Sequence, residues 1–242
     1  MRPLILRPQP AANELAARLR QDGHAPWVCP LFHYQPGCEL SQLPALLADA
    51  EVIIAVSAAA VQFAQQQLQA QQLSWPRHPA YLAVGTTTAR EWQKNLPVTV
   101  VTPDDARSEG LLTLPALVSV QGKKIVILRG NAGRELLTDT LRQRGADVTC
   151  VECYRRHYLQ TDGTRLLQEW QAAAVDSVII TSSELFQQLL NLLPDNADHW
   201  LATLHWFAAS ERIAAEIRHS GFARITIMSG AQHSAVAAAL LE

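Results

Sequence analysis

The chain has 242 residues, 48% of them hydrophobic and 17% charged, and its formal net charge is −2. That composition belongs to a globular protein with one large core or two ordinary ones, and it offers no broad basic surface for nucleic acid. No apolar run approaches the ~20 residues that cross a bilayer, and the opening Met1-Arg2-Pro3-Leu4-Ile5-Leu6-Arg7-Pro8 lacks a signal-peptide pattern, so a cytoplasmic protein without membrane partners is expected.

Short apolar runs alternate with segments of helical spacing along the chain. Leu4–Leu6 reads as a strand and Asn13–Gln21 as a helix, with Leu15, Ala16 and Leu19 on one face and Gly23 as its stop. Strands at Ala25–Cys29 and Val52–Val56 come next, then a helix over Ala59–Ala70, a strand at Tyr81–Val84 and a helix over Thr88–Lys94. A strand at Val98–Val101, a helix over Glu109–Val118, a strand at Ile125–Leu128, a helix over Arg134–Arg144 and a strand at Asp147–Val151 follow. The last third continues with strands at Ser177–Thr181, His205–Ala208 and Arg224–Met228 and helices over Ser183–Leu193, Glu211–His219 and His233–Leu241. This alternation predicts an α/β fold, with parallel sheets covered by helices on both faces. Two polar-aromatic segments break it, Phe32-His33-Tyr34-Gln35-Pro36-Gly37 and Tyr154-Arg155-Arg156-His157-Tyr158, and both read as connectors between domains.

The chain also reads nearly twice. Leu4-Ile5-Leu6-Arg7-Pro8 is echoed by Val126-Ile127-Leu128-Arg129-Gly130, and Ile53-Ile54-Ala55-Val56-Ser57 by Val178-Ile179-Ile180-Thr181-Ser182. Ala83-Val84-Gly85-Thr86 is matched loosely by Phe207-Ala208-Ala209-Ser210. The offsets are steady, 122 from Arg7 to Arg129, 125 from Ser57 to Ser182 and 124 from Gly85 to Ala209. A solenoid unit would recur every ~20–50 residues; this is a duplicated domain, and two similar lobes leave a cleft for a ligand. With two connectors, the lobes could be the two halves of the chain, or its middle and its joined ends. The residues leave both open.

Ser57, Gly85-Thr86-Thr87-Thr88, Ser182-Ser183 and Ser210 each stand where a strand gives way to a helix. Free N–H groups and the dipole make such helix starts receptive to carboxylate or phosphate, although plain N-capping uses the same residues. Four at equivalent strand ends, where parallel sheets bind ligands, point to a ligand with several anionic groups. Arg7, Arg129 and the loop Gly130-Asn131-Ala132-Gly133-Arg134 lie at the same ends, and glycine there permits close approach of backbone to ligand. Tyr154, on the second connector, carries a phenol of ordinary pKa ~10 that can donate a proton at neutral pH. No dinucleotide or P-loop glycine pattern, no G-x-S-x-G elbow and no H-E-x-x-H is present. Cys150 and Cys153 form a C-x-x-C in an apolar, strand-like stretch far from Cys29 and Cys38, which reads as buried reduced thiols rather than a metal or redox site.

Taken together, these marks resemble the bacterial uroporphyrinogen-III synthase family along essentially the whole chain. They are Arg7-Pro8, Ser57, Val84-Gly85-Thr86-Thr87-Thr88-Ala89, Arg129 to Glu135 leading into Gly145-Ala146, Tyr154-Arg155-Arg156, Thr181-Ser182-Ser183 and Ser210-Glu211-Arg212-Ile213-Ala214. The resemblance implies two flavodoxin-like parallel-sheet lobes, 1–33 with 159–242 and 40–152, joined by a two-stranded linker (34–39 and 153–158) with a cleft between them. It implies cyclisation of hydroxymethylbilane, a linear tetrapyrrole with eight carboxylates, to uroporphyrinogen III with loss of water and inversion of ring D through a spirocyclic intermediate. No metal or cofactor is implied. Tyr154 aligns with the family's proposed proton donor and Thr88 with a threonine lining the cleft. Arg7, Ser57, Gly85, Thr86, Gly130, Asn131, Arg134, Ser182, Ser183 and Ser210 complete the expected substrate site. A monomer is expected, with room for transient contact with the preceding pathway enzyme. The competing readings are a two-lobed binding protein for an anionic small molecule, which should carry a signal peptide or a helix-turn-helix, and a twin-lobed nucleotide-sugar transferase, which should carry a phosphate loop.

Overall fold

The computed structural model describes residues 1–96, 98–131 and 135–241. In chain order the first elements are β1 (Pro3–Ile5), α1 (Ala11–Gln21), β2 (Trp27–Val28), β3 (Phe32–Pro36), α2 (Leu43–Ala48), β4 (Val52–Ala55), α3 (Ala58–Ala70), β5 (Ala80–Ala83) and α4 (Thr86–Gln93). Next come β6 (Val100–Val101), α5 (Ser108–Leu111), α6 (Pro115–Val118), β7 (Lys124–Gly130), α7 (Leu136–Gln143), β8 (Asp147–Tyr158), α8 (Gly163–Ala172) and β9 (Ser177–Ile180). The last are α9 (Ser183–Leu192), α10 (Asp198–Thr203), β10 (His205–Ala208), α11 (Glu211–His219), β11 (Ile225–Ile227) and α12 (His233–Leu241). They form two compact units, Met1–His33 with His157–Glu242, and Tyr34–Arg156.

The discontinuous unit holds a parallel sheet in the order β11-β10-β9-β1-β2. Counted along the chain that is 2-1-3-4-5, the flavodoxin-like order. Ile5, Ile179 and Phe207 pack with Leu15 and Leu19 of α1 and Val236 and Leu240 of α12. Leu4, Val178 and Trp206, which alternate with them along the strands, are also buried, so both faces are covered and the strands read as unbroken apolar runs.

The continuous unit holds the order β3-β8-β7-β4-β5-β6. Started at β7, five of its strands give the same 2-1-3-4-5, with β3 added at the edge. Ile53, Val126 and Leu128 pack with Val61, Ala64 and Trp92 of α3 and α4. Ile54, Ile125 and Ile127 face the opposite way, onto Leu117, Leu137 and Leu141. Each repeat is therefore divided. The first sends β1 and β2 to the discontinuous unit and β4–β6 to the continuous one; the second sends β7 and β8 to the continuous unit and β9–β11 to the discontinuous one.

Several expectations need correcting. The helix over Glu109–Val118 is two short helices, α5 and α6. Pro115 has no N–H to continue the first, and Leu114 before it is extended at φ −63, ψ 135. Helices α2, α8 and α10 are additional to the alternation read from sequence. The second connector continues the strand before it, since β8 runs from Asp147 to Tyr158 and has β3 as its neighbour. Only Cys153 of the four cysteines is buried; Cys29 and Cys150 are half-buried and Cys38 is exposed. Burial pushes the Cys153 thiol up to about 12 and the Cys29 thiol up to about 11. The repeat register near Gly85 also shifts by one. Gly85 and Ser210 are the N-caps of α4 and α11, so Gly85 pairs with Ser210, 125 apart like Ser57 and Ser182, and not with Ala209.

Candidate functional site

In an open parallel sheet, the crevice lies beyond the strand ends where the order reverses. In the continuous unit that place is between β4 and β7. The chain leaves β4 through Val56 to Ser57, whose extended backbone (φ −161, ψ 153) turns into α3 and whose Oγ accepts from the Ala60 N–H. It leaves β7 through Arg129 and Gly130.

Tyr154 reaches this place through a slip in the sheet. Arg129 is level with Glu152, but Gly130 is level with Tyr154, leaving Cys153 as the extra residue in β8. A strand normally alternates its faces, yet Cys153 and Tyr154 both pack in the core under α3; a bulge re-aims a side chain in this way. The displaced Cys153 carbonyl accepts from the Gly37 N–H at 3.0 Å. A Cβ on Gly37 would stand 1.9 Å from the Glu152 carbonyl oxygen, so only glycine lets this segment approach.

The Tyr154 ring is fixed on three sides. Tyr34 meets it edge-on at 4.7 Å between centroids and Phe63 stacks at 6.1 Å. Gly130 supplies the third side, since a Cβ there would lie 2.6 Å from the ring carbon that bears the hydroxyl. The Ser57 hydroxyl donates to the Tyr154 oxygen at 3.3 Å. Because Ser57 Oγ accepts from Ala60 and donates to Tyr154, the phenol keeps its own proton for another acceptor.

These groups border a cavity of about 360 Å3. Its apolar lining is Val56, Val84, Ile127 and Leu137, and its polar lining includes Ser57, Ser108, Thr138 and Tyr154. Three guanidinium groups, Arg107, Arg129 and Arg156, also line it. Arg107 grips Asp105 through two bonds of 2.7 Å, which raise the affinity of the guanidinium for its proton and lower that of the carboxyl. For Arg129, burial works against the charge, but the Glu135 carboxylate at 2.9 Å and the Cys150 thiol outweigh it. The cavity is thus an anion-receptive pocket with an apolar floor and one phenol.

Of the expected site residues, Ser57, Gly130 and Tyr154 meet here. Asn131 serves the backbone, donating its N–H to the Tyr154 carbonyl at 3.0 Å and accepting from the Arg156 N–H at 3.2 Å. Gly85 and exposed Thr86 begin α4 at the neighbouring strand end. Thr88 is buried on the helix face shared with Ala89 and Trp92 and is not among the cavity-lining residues. Arg134 lies outside the described residues. The rest belong to the discontinuous unit. Ser182 and Ser210 cap α9 and α11. Ser183 donates to Glu216 at 2.7 Å and accepts from Arg212 at 2.5 Å. Arg7, nearly buried, donates to the Ala231 carbonyl at 2.9 Å, and burial weakens its hold on its proton. Sequence reasoning missed Arg107, Thr138 and Arg156 as cavity walls. Arg156 adjoins the Tyr154 signal, whereas Arg107 and Thr138 carried none.

Among the described residues no His, Cys, Asp and Glu cluster could hold a metal ion, and no helix is long and apolar enough to cross a membrane. The family model described as "Uroporphyrinogen-III synthase HemD" matches residues 13–237. The chain is 42% identical over 242 residues to a uroporphyrinogen-III synthase of Escherichia coli, covering 98% of each chain. It is 39% identical to the Salmonella typhimurium uroporphyrinogen-III synthase, again covering 98% of each. A solved mutant uroporphyrinogen III synthase from Thermus thermophilus superimposes with a TM-score of 0.66 at 18% identity, covering 98% of this chain and 96% of the other, a likeness of fold.

Proposed function

The chain belongs to the uroporphyrinogen-III synthase family, and from that premise we propose that Tyr154 is the proton donor of its reaction. The protein is a cyclising lyase of tetrapyrrole biosynthesis. Its reaction closes hydroxymethylbilane to uroporphyrinogen III, with loss of water and inversion of ring D. The terminal C–O bond breaks as the Tyr154 proton passes to the departing hydroxyl and water leaves. The bridge-bearing α-carbon of ring D attacks the electron-poor methylene to give the spirocycle, and the old bridge bond to that carbon breaks. The freed bridge carbon is attacked by the free α-carbon of ring D, and the proton this carbon loses returns to the phenolate.

The observation that carries this reading is the direction of one hydrogen bond. Ser57 donates to the phenol oxygen, so the phenol donates outward, and the same Ser57 proton supports the phenolate once Tyr154 has given up its own. The bilane is a reactive molecule, and holding its two ends in one geometry contributes up to ~7–11 kcal/mol, so few acid–base groups are needed. In the same reading Arg7, Arg134 and the helix starts at Ser57, Gly85-Thr86, Ser182-Ser183 and Ser210 receive substrate carboxylates, and the enzyme works as a cytoplasmic monomer, for which light scattering should return a single-chain mass.

The test is to supply hydroxymethylbilane, oxidise the products and separate the porphyrin isomers. Wild-type protein should give isomer III, and isomer I alone would reject the activity. Tyr154→Phe should fold normally and lose about 10²-fold or more in turnover. A near-full rate from that variant would remove Tyr154 from the mechanism and leave the family unchanged.

A further inference from the structure

The cavity beside Tyr154 is far smaller than the substrate. At about 360 Å3 it is near the lower end of small-molecule pockets, ~300–1,000 Å3. It has room for one substituted pyrrole and not for four. We propose that it is a subsite for a single pyrrole ring bearing one acetate and one propionate arm, and that the ring it takes is the terminal one carrying the hydroxymethyl group. The choice of ring rests on Tyr154 as the proton donor; the single-ring fit does not.

The lining divides as such a ring requires. Val56, Ile127 and Leu137 offer apolar surface to the flat face of a heterocycle, and Arg107, Arg129 and Arg156 offer planar donors to two carboxylates. The acids now beside two of these arginines are replaceable. Asp105, on Arg107, is 44% exposed and Glu135, on Arg129, is 60% exposed. Exposed ion pairs contribute little to stability, so a substrate carboxylate can exchange for either acid and become the better-enclosed partner. Arg129 itself is only 15% exposed, which makes it the anchor, while Arg107, 67% exposed, closes the outer side. Two arms of unequal length, each with its own guanidinium, would fix which way round the ring sits, and the hydroxymethyl carbon would face Tyr154.

The probe is a monopyrrole carrying one acetate and one propionate arm, used with the full chain. It should inhibit isomer III formation competitively and perturb the amide resonances of Ser57, Gly130 and Tyr154. Arg129→Gln and Arg107→Gln should each weaken it about tenfold, as should replacing the acetate arm by methyl. The exposed Arg107 keeps the test sound if Arg129→Gln fails to fold. Perturbation at Ser182 and Arg7 instead, or affinity indifferent to both arginine variants, would overturn the subsite. Tyr154→Phe separates the two readings. Lost turnover with retained monopyrrole affinity supports both, whereas unchanged turnover with retained affinity leaves the subsite standing and removes the choice of ring.

Discussion

At the switch point of the continuous unit, Ser57 and Arg129 stand at the ends of β4 and β7 and border a cavity. At that of the discontinuous unit, Ser182 and Arg7 hold the same places at the ends of β9 and β1. Ser182 caps α9 as Ser57 caps α3, but Arg7 is buried and bonded to the Ala231 carbonyl, whereas Arg129 pairs with the exposed Glu135. The offset of 122 that relates Arg129 to Arg7 puts Pro8 where Gly130 stands and Phe32 where Tyr154 stands. One place thus has a phenol resting on a glycine and bonded to Ser57, whereas the phenol beside Phe32 is Tyr158, which donates to Glu184 of α9. A shared strand order sets where a site can form. The chemistry enters through a slipped register, a missing Cβ and one hydroxyl.

The sharpest way to break that contrast is to restore the Cβ. Gly130→Ala would drive a methyl into a ring already held by Tyr34 and Phe63. A displacement of about 1 Å at a reacting group can cost about 10²-fold, and a fall of that order in turnover is expected, with overpacking costing ~1–3 kcal/mol of stability. Isomer assays with a urea melt measure both, and unchanged turnover would mean the ring is free to move.

A smaller effect separates the two serines. Ser57→Ala and Ser182→Ala each remove a helix cap worth ~1 kcal/mol, visible as similar shifts in the urea midpoint. Ser57→Ala also removes a donor to the phenolate. It should lower turnover about tenfold. Ser182→Ala should leave turnover near that of the wild type. Equal losses of turnover in the two variants would abolish the distinction between the units.

How far the site was legible follows from these residues. Strands buried on both faces appear as apolar runs such as Val52 to Val56, so the sheets could be read directly. Ser57 and Ser182 announced themselves as caps, and Gly130 as a place of close approach. The slip at Cys153 could not be read, because an extra residue in a strand leaves no mark in composition and its partner Gly37 is distant in the chain. Arg107 and Thr138 come from elements that meet only in the fold. Thr88 carried a motif-like signal, but its helical phase, shared with Ala89 and Trp92, turns it toward the core. Helices α2 and α10 are six residues each, too short to show a period. Helix α8 was missed although its marks stand in the sequence, with Asp162 as its cap and Leu166, Leu167 and Trp170 on one face.

The smallest effect concerns stability and pH. His205 and His233 both lie in the discontinuous unit, and burial holds each below the usual imidazole range, helped by Arg224 for His205 and by Arg7 for His233. A histidine that resists protonation when folded takes up its proton more readily once unfolded, where its pKa is ~6.5. The unfolded state then binds more protons, so this contribution is complete above about pH 6.5 and is lost as pH falls below it toward the depressed folded values. Hydrogen exchange at pH 7.5 and 5.5 should therefore show β10, β11 and α12 losing more protection on acidification than β4 and β7. His233→Gln should reduce the loss around α12. The reverse order would mean that the unit with Tyr154 is the acid-sensitive one, and that the engaged side chains of the other confer no such liability.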